Sequence, residues 1–245
     1  MIITLLTDFG TGDSYVAEVK GVLLARAPSV TLVDITHQVA PGDIRAAQYL
    51  LGRSWHRFPT ATIHLAIVDP GVGSERRAIA AEHAGHRFVA PDNGLLSFLP
   101  LTARFVSLPV PATAAATFHG RDVFAPAAAR LAAGAAFGEL GEPMSDPHRT
   151  PLPEPRHDHL TVIGEVVYVD RFGTLVSNIP GDAVQMGARI RVEGSEAGSL
   201  RRTFRDVARG ALVAFVGSGG TVEIAVRDGS AARMLGVGVG AEVRA

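Results

Sequence analysis

Five prolines, Pro143, Pro147, Pro151, Pro153 and Pro155, cut the chain into two stretches with different hydrophobic periodicities. Proline lacks the N–H that helices and central strands use, so residues 142–159 read as an interdomain linker. Before the linker, apolar β-type runs alternate with helical patterns: 2–7 then 16–27, 31–35 then 44–55, and 62–68, 87–90 and 105–108 followed by 123–136. That alternation predicts an α/β domain over residues 1–141, with a mostly parallel sheet and flanking helices. Its first helix has Asp13 and Ser14 as cap candidates and stops at Ala27-Pro28. After the linker come short strands parted by glycine-rich turns, with no convincing helix: 160–170, 175–179, 189–192, 212–216, 222–226 and 241–244. Residues 160–245 are therefore expected to form a small all-β barrel or sandwich.

With 47% hydrophobic residues, the 245-residue chain can bury a full core. Its net charge of -1, with no stripe of basic residues, lacks the electrostatic footprint of a nucleic-acid binder. The absence of cysteine excludes disulfides, thiolate catalysis and cysteine-ligated metal sites, and it accords with a cytoplasmic protein. Met1-Ile2-Ile3-Thr4-Leu5-Leu6 has no basic start and runs into Asp8, so it reads as a strand and not a signal peptide. No apolar run approaches the roughly 20 residues of a membrane helix. Lys20 is the only lysine, leaving one candidate for Schiff-base chemistry.

Two segments concentrate polar chemistry. Val68-Asp69-Pro70-Gly71-Val72-Gly73-Ser74-Glu75-Arg76-Arg77 follows an apolar run, as a turn at the carboxyl end of a buried strand, where open α/β sheets place ligands. Asp69 and Arg76 make a couple in which the cation keeps the acid ionised and oriented; an ion pair that only braces the loop is the competing reading. In Phe118-His119-Gly120-Arg121-Asp122-Val123-Phe124-Ala125-Pro126, His119 is a candidate acid/base or donor to a water, against a role in packing. Arg121-Asp122 reads as a brace and helix cap. Asp8, at the end of the first strand, can take the two vicinal hydroxyls of a ribose, or cap its turn. The glycines after it fit a dinucleotide fingerprint only in part, because Tyr15 holds the third glycine position, and Asp34 then reads as a turn cap. His157 and His159 lack a third ligand and are expected in solvent, so no metal is assigned. In the second half Asp170, Asn178, Phe204 and Ser218 stand at strand ends and together could line a nucleoside pocket.

Seven motifs carry a resemblance: Thr-Asp-Phe-Gly at 7–10, Asp-Ile-Thr-His-Gln-Val at 34–39, Val-Asp-Pro-Gly-Val-Gly at 68–73, Pro-Asp-Asn-Gly at 91–94, Phe-His-Gly-Arg-Asp-Val-Phe-Ala-Pro at 118–126, Val-Asp-Arg-Phe-Gly at 169–173 and Val-Gly-Ser at 216–218. In order and spacing, over essentially the whole chain, they resemble the S-adenosyl-L-methionine (SAM) hydrolases. These are also called SAM hydroxide adenosyltransferases, and are related to the fluorinating and chlorinating SAM halogenases. The resemblance implies an α/β domain and a β-barrel packed as a homotrimer, with SAM between one subunit's first domain and a neighbour's second. It implies attack of water or hydroxide on the ribose 5′ carbon, releasing methionine and adenosine without cofactor or metal. It assigns catalysis to Asp69, Arg76 and His119, the ribose hydroxyls to Asp8 and the methionine part to Asp170 and Ser218. Phe204 falls near the aromatic that stacks on adenine, and Asn178 lies in a matching strand as a further substrate contact.

The departures favour hydrolysis over halogenation: the halogenases carry tyrosine where this chain has Asp69 and His119, and a serine halide ligand where it has Gly120. Thr174 stands where a halogenase asparagine meets adenine. The chemistry is coherent by itself. A sulfonium is already a good neutral leaving group, so the task is to supply the nucleophile, with Asp69 accepting a proton while Arg76 and His119 orient water. Phe9, Val72 and Phe118 could keep the site dry, which favours meeting of an anion-like nucleophile and a cation. A non-catalytic SAM or adenosine sensor would keep Asp8 but not need the catalytic trio. A phosphoester hydrolase would want a metal cluster or a glycine-rich anion loop, which this sequence lacks. The purpose, trimming excess SAM or clearing its inactive (R)-sulfonium epimer, stays open.

Overall fold

A strand whose successive residues are all buried needs cover on both faces, and Ile2–Thr7 (β1) is buried from Ile3 onward. The structure, a computed structural model, describes residues 1–159 and 161–245; Leu160, the expected start of the second domain and its first strand, lies outside the described residues. The chain divides into two compact units, Met1–Pro151 and Leu152–Ala245.

In the first unit β1 is followed by α1 (Tyr15–Arg26), β2 (Thr31–Thr36), α2 (Ile44–Ser54), β3 (Ile63–Ile67), β4 (Ala78–His83), β5 (His86–Pro91), β6 (Arg104–Leu108), α3 (Ala125–Ala132) and β7 (Glu142–Met144). The strands form one sheet in the order β2-β1-β3-β5-β4-β6-β7. Pairs along β2-β1-β3-β5 are parallel and pairs along β5-β4-β6-β7 antiparallel, so the sheet is mixed rather than mostly parallel as the sequence suggested. The reversal arises at Ala84-Gly85, both at positive φ (47° and 77°), a two-residue turn with no room for the crossover helix that a parallel neighbour requires.

Ile3, Leu5, Leu65 and Val89 pack on one face against Val19 and Leu23 of α1 and Ala128 and Leu131 of α3. Leu6, Ala66, Phe88 and Ala90 pack on the other against Ala47 and Leu51 of α2 and against Leu95, Leu96 and Leu99. Each such leucine contributes about 1.5–3 kcal/mol on burial. Asp43 caps α2 by accepting from the Ala46 amide at 2.9 Å. The expected cap of α1 is not made: Ser14 holds the cap position but gives its hydroxyl to Glu18 at 2.7 Å.

The proline-rich stretch is shared between the units rather than free of both. Glu142–Met144 pairs with β6 as an edge strand, a position that tolerates Pro143. Arg77 then holds Asp146 at 2.9 Å, and Asp92 accepts the His148 amide at 2.7 Å.

The second unit runs β8 (Arg156–Asp158), β9 (Thr161–Val169), β10 (Leu175–Pro180), β11 (Arg189–Val192), β12 (Ser195–Arg201), β13 (Leu212–Val216), β14 (Thr221–Val226), α4 (Ala231–Leu235) and β15 (Glu242–Arg244). Because β9 pairs with both β15 and β10, the series β10-β14-β13-β12-β11-β15-β9 closes on itself as a barrel, with β8 added beside β9. Val166, Leu175, Ile190, Val192, Ile224 and Val243 fill it, the alternate residues of each strand turned inward. The sequence reading missed α4, a short helix capped by Ser230 and ended by Gly236 at φ 67°. Among the described residues no helix is long and apolar enough to cross a membrane.

Candidate active site

β1 and β3 are neighbours, yet the chain leaves β1 for β2 on one side and β3 for β4 on the other, a topological switch point at whose carboxyl ends open α/β sheets place ligands. Asp8 follows β1 directly and Asp69 follows β3 after Val68, so strand geometry alone brings both acids to that end of the sheet.

Arg76 clamps Asp69 with two hydrogen bonds, Nε to Oδ1 at 2.8 Å and Nη2 to Oδ2. The two side chains are only 10% and 6% exposed, so the pair is screened little by water. Nη2 also donates to Nδ1 of His119 at 3.0 Å, and the guanidinium lies over the Phe124 ring, 5.2 Å from its centroid. A guanidinium can only donate, so His119 Nδ1 is bare and the neutral ring carries its proton on Nε2. Burial first, and Arg76 second, hold His119 below its ordinary value of 6.5. The ring is therefore a fixed Nε2–H donor at neutral pH.

His119 leads into a π-helical turn, Gly120–Phe124, that opens α3. A Cβ at Gly120 would stand 3.3 Å from both Phe118 and Phe9. Phe9, Tyr15 and Phe118 form an apolar cluster, their centroids 5.3–6.0 Å apart. Arg121 and Asp122 act as the expected brace, Arg121 holding Asp122 at 2.7 Å and Glu18 at 2.9 Å. Asp122 does not cap the helix, however; it lies inside the π turn and accepts the Ala115 amide at 2.8 Å. Asp34 is likewise no turn cap but the partner of Lys20, at 2.7 Å.

In the second unit Asp170, Thr174, Phe204 and Ser218 line one groove of about 1010 Å³, together with Phe215, Arg205, Arg227 and Arg233. Phe204 is 42% exposed, with its ring centroid 4.6 Å from that of Phe215. Asp170 Oδ1 accepts the amides of Phe172 and Thr174 at 2.9 and 2.8 Å, which shapes the β9–β10 turn. Asn178 is not with them. Its Oδ1 accepts the Glu165 amide at 2.8 Å and its Nδ2 donates to the Pro153 carbonyl at 2.7 Å, so both ends of the amide brace the barrel beside a separate small cavity. His157 and His159 are exposed. Among the described residues no group of three or more His, Cys, Asp or Glu is arranged to hold a metal.

Residues 3–141 match the model of the SAM hydroxide adenosyltransferase N-terminal domain, and residues 164–244 that of its C-terminal domain. The chain belongs to the SAM hydroxide adenosyltransferase family. It is 41% identical to the (R)-S-adenosyl-L-methionine hydrolase of Salinispora tropica, over 99% of this chain and 96% of that protein. Against the protein of the same name from Thermus thermophilus it is 42% identical, over 98% and 97%. A solved structure of a conserved uncharacterized protein from Thermotoga maritima superposes with a TM-score of 0.92 at 36% identity, covering 100% of this chain and 99% of the other.

In this SAM hydroxide adenosyltransferase three supports of the site went unread in the sequence. Asn93 Nδ2 donates to the Val68 carbonyl at 2.8 Å, fixing the peptide that precedes Asp69. Asp92 accepts from Arg77 Nε at 2.8 Å and so anchors the far end of the Asp69–Arg76 turn. His37 bonds Thr7, next to Asp8, at 2.8 Å. All lie in motifs that carried the family resemblance, but their polar side chains had no assigned partner until neighbouring strands were placed.

Proposed function

We propose that this chain hydrolyses SAM to adenosine and L-methionine, with the (R)-sulfonium epimer as substrate. The observation that carries the reading is the linked set Asp69–Arg76–His119: a buried bidentate ion pair whose cation also fixes the tautomer of a histidine. Water donates one hydrogen bond to a remaining lone pair of Asp69 and accepts one from His119 Nε2–H, which aims an oxygen lone pair at the ribose 5′ carbon. The O–C5′ bond forms as the C5′–S bond breaks, the electron pair leaves on sulfur as neutral methionine, and the water proton passes to Asp69 and then solvent. His119 acts here as a donor and not as the base, because its Nδ1 is occupied by Arg76.

Asp8 takes the ribose hydroxyls, Asp170 and Ser218 the methionine part, and Phe204 the adenine face. The assembly proposed is the homotrimer that the family resemblance implies, each site drawing its second-unit residues from a neighbouring subunit, in the cytoplasm. The Salinispora tropica and Thermus thermophilus relatives are (R)-S-adenosyl-L-methionine hydrolases, which supports the (R) epimer. Gly120 argues against a halogenase: a side chain there would press on Phe118 and Phe9 at 3.3 Å, where the halogenases carry a serine.

The test is incubation with each sulfur epimer of SAM in oxygen-18 water, with and without chelator and halide, followed by mass spectrometry. The expected products are adenosine labelled at the 5′ oxygen and methionine, unaffected by chelator or halide. Bound but unchanged SAM would instead establish a sensor, and a halogenated nucleoside a halogenase.

A further inference from the structure

His37 is among the most buried polar residues of the first unit, 5% exposed, and the proposed chemistry gives it no task. Its ring Nδ1 lies 2.8 Å from Oγ1 of Thr7, itself 1% exposed, and the Phe9 amide donates to that same Oγ1 at 3.3 Å. Its main-chain carbonyl accepts the Gly10 amide at 2.7 Å. The loop that continues from it returns through Gly42, whose amide donates to Asp8 Oδ2 at 2.8 Å. Asp8 is thus bracketed by three tethers, before it at Thr7, after it at Gly10 and on its own carboxylate from Gly42, and all three run through His37 or the loop it begins.

The outer edge of the ring faces a carboxylate without a hydrogen bond to it: Nε2 stands 3.1 Å from Asp34 Oδ1 but is not aligned to donate, and Asp34 Oδ2 accepts from Lys20 Nζ at 2.7 Å. The Thr7 hydroxyl accepts the Phe9 amide and keeps its own proton to give to Nδ1.

We propose that His37 is a positioning residue that holds Asp8 in the pose that grips the ribose hydroxyls. The inference rests on the reading of Asp8 as the ribose carboxylate. Acting through a binding group and not a reacting one, His37 affects capture of SAM far more than the chemical step.

The test compares KM and kcat for SAM in His37→Ala, His37→Asn, Thr7→Val and Asp8→Ala, and in the double variant Asp8→Ala/His37→Ala. His37→Ala and Thr7→Val are expected to raise KM about tenfold with kcat within about twofold of the parent. Asparagine places an acceptor near the lost Nδ1, so His37→Asn is expected to recover most of the affinity. The double variant is expected to bind no worse than Asp8→Ala alone, since a residue that acts through Asp8 has nothing left to position. A raised KM in Asp8→Ala beside normal values in Thr7→Val and the His37 variants overturns the inference and leaves Asp8 standing. Multiplied losses in the double variant do the same. An unchanged KM in Asp8→Ala overturns the ribose reading of Asp8 and this inference with it.

Discussion

Asp69→Asn is expected to slow SAM hydrolysis by about 10²–10⁴-fold while the dissociation constant for SAM moves by no more than about threefold. An amide can still accept at its oxygen, but its nitrogen faces the guanidinium as a second donor, so the bidentate clamp on Arg76 is lost. The damage spreads, because Arg76 is also what keeps Nδ1 of His119 bare. One substitution therefore removes the proton acceptor and loosens the donor that aims the water. Single-turnover assays beside equilibrium binding check this, and parental turnover in the variant would end the assignment of the trio. The pH profile of the parent follows from the same contacts. Burial and Arg76 depress the affinity of His119 for a second proton, so the acid limb of kcat/KM that it causes should lie below the ordinary imidazole value of 6.5.

Acid is expected to weaken the first unit through a different histidine. His64 is fully buried, with Nδ1 2.8 Å from Thr4 Oγ1 and Nε2 3.2 Å from His86 Nδ1. Its ring stacks beside Phe88, centroids 5.0 Å apart. Burial, and then His86, push it down to about 3 from 6.5. The unfolded chain thus takes up a proton near 6.5 that folded His64 refuses until near 3. Its contribution to stability is complete above the higher value and is lost progressively as pH falls towards the lower. The slope is about 1.4 kcal/mol per pH unit, or about 2 kcal/mol between pH 7.5 and 5. His86 is lowered too, mainly by burial and then by His56 and His83, and adds in the same direction. In His64→Leu the Thr4 hydroxyl and His86 lose a partner, so stability at neutral pH should drop by about 1–3 kcal/mol. The acid slope of the variant should flatten. Urea unfolding of parent and variant at both pH values measures this, and equal acid losses in the two proteins would refute the role of His64.

Much of this architecture could be read from one sequence because the informative residues are local. The runs 2–7 and 62–68 are apolar at nearly every step, which marks doubly covered strands, and Asp8 and Asp69 follow them. What escaped was decided by distant partners. Ala-Ile-Ala-Ala-Glu-His at 78–83 has few β-branched residues and reads poorly as a strand, yet it is β4, held between β5 and β6. Missing β4 hid the hairpin that reverses the sheet. Ser195–Arg201 is half polar because a barrel strand shows one side to solvent. Asn178 could not be told apart in the sequence from a backbone brace, because a polar residue near a strand end looks the same in either role, and its contacts to Glu165 and Pro153 came only with the folded barrel. His37 had no legible role for the converse reason: its chemistry depends on Thr7, a residue on another strand.

The place of β5 between β3 and β4 gives the molecule a folding order. The β4–β5 hairpin is closed by its own two-residue turn and can form early from local contacts, as can α1 and α2. Asp69 trails β3 and Arg76 leads into β4, so their final geometry is set when that hairpin lies beside β3, with Leu65 opposite Val89. A refolding chain is therefore expected to regain helical signal before turnover, which needs β5 in the sheet and the subunit assembly that completes the proposed site.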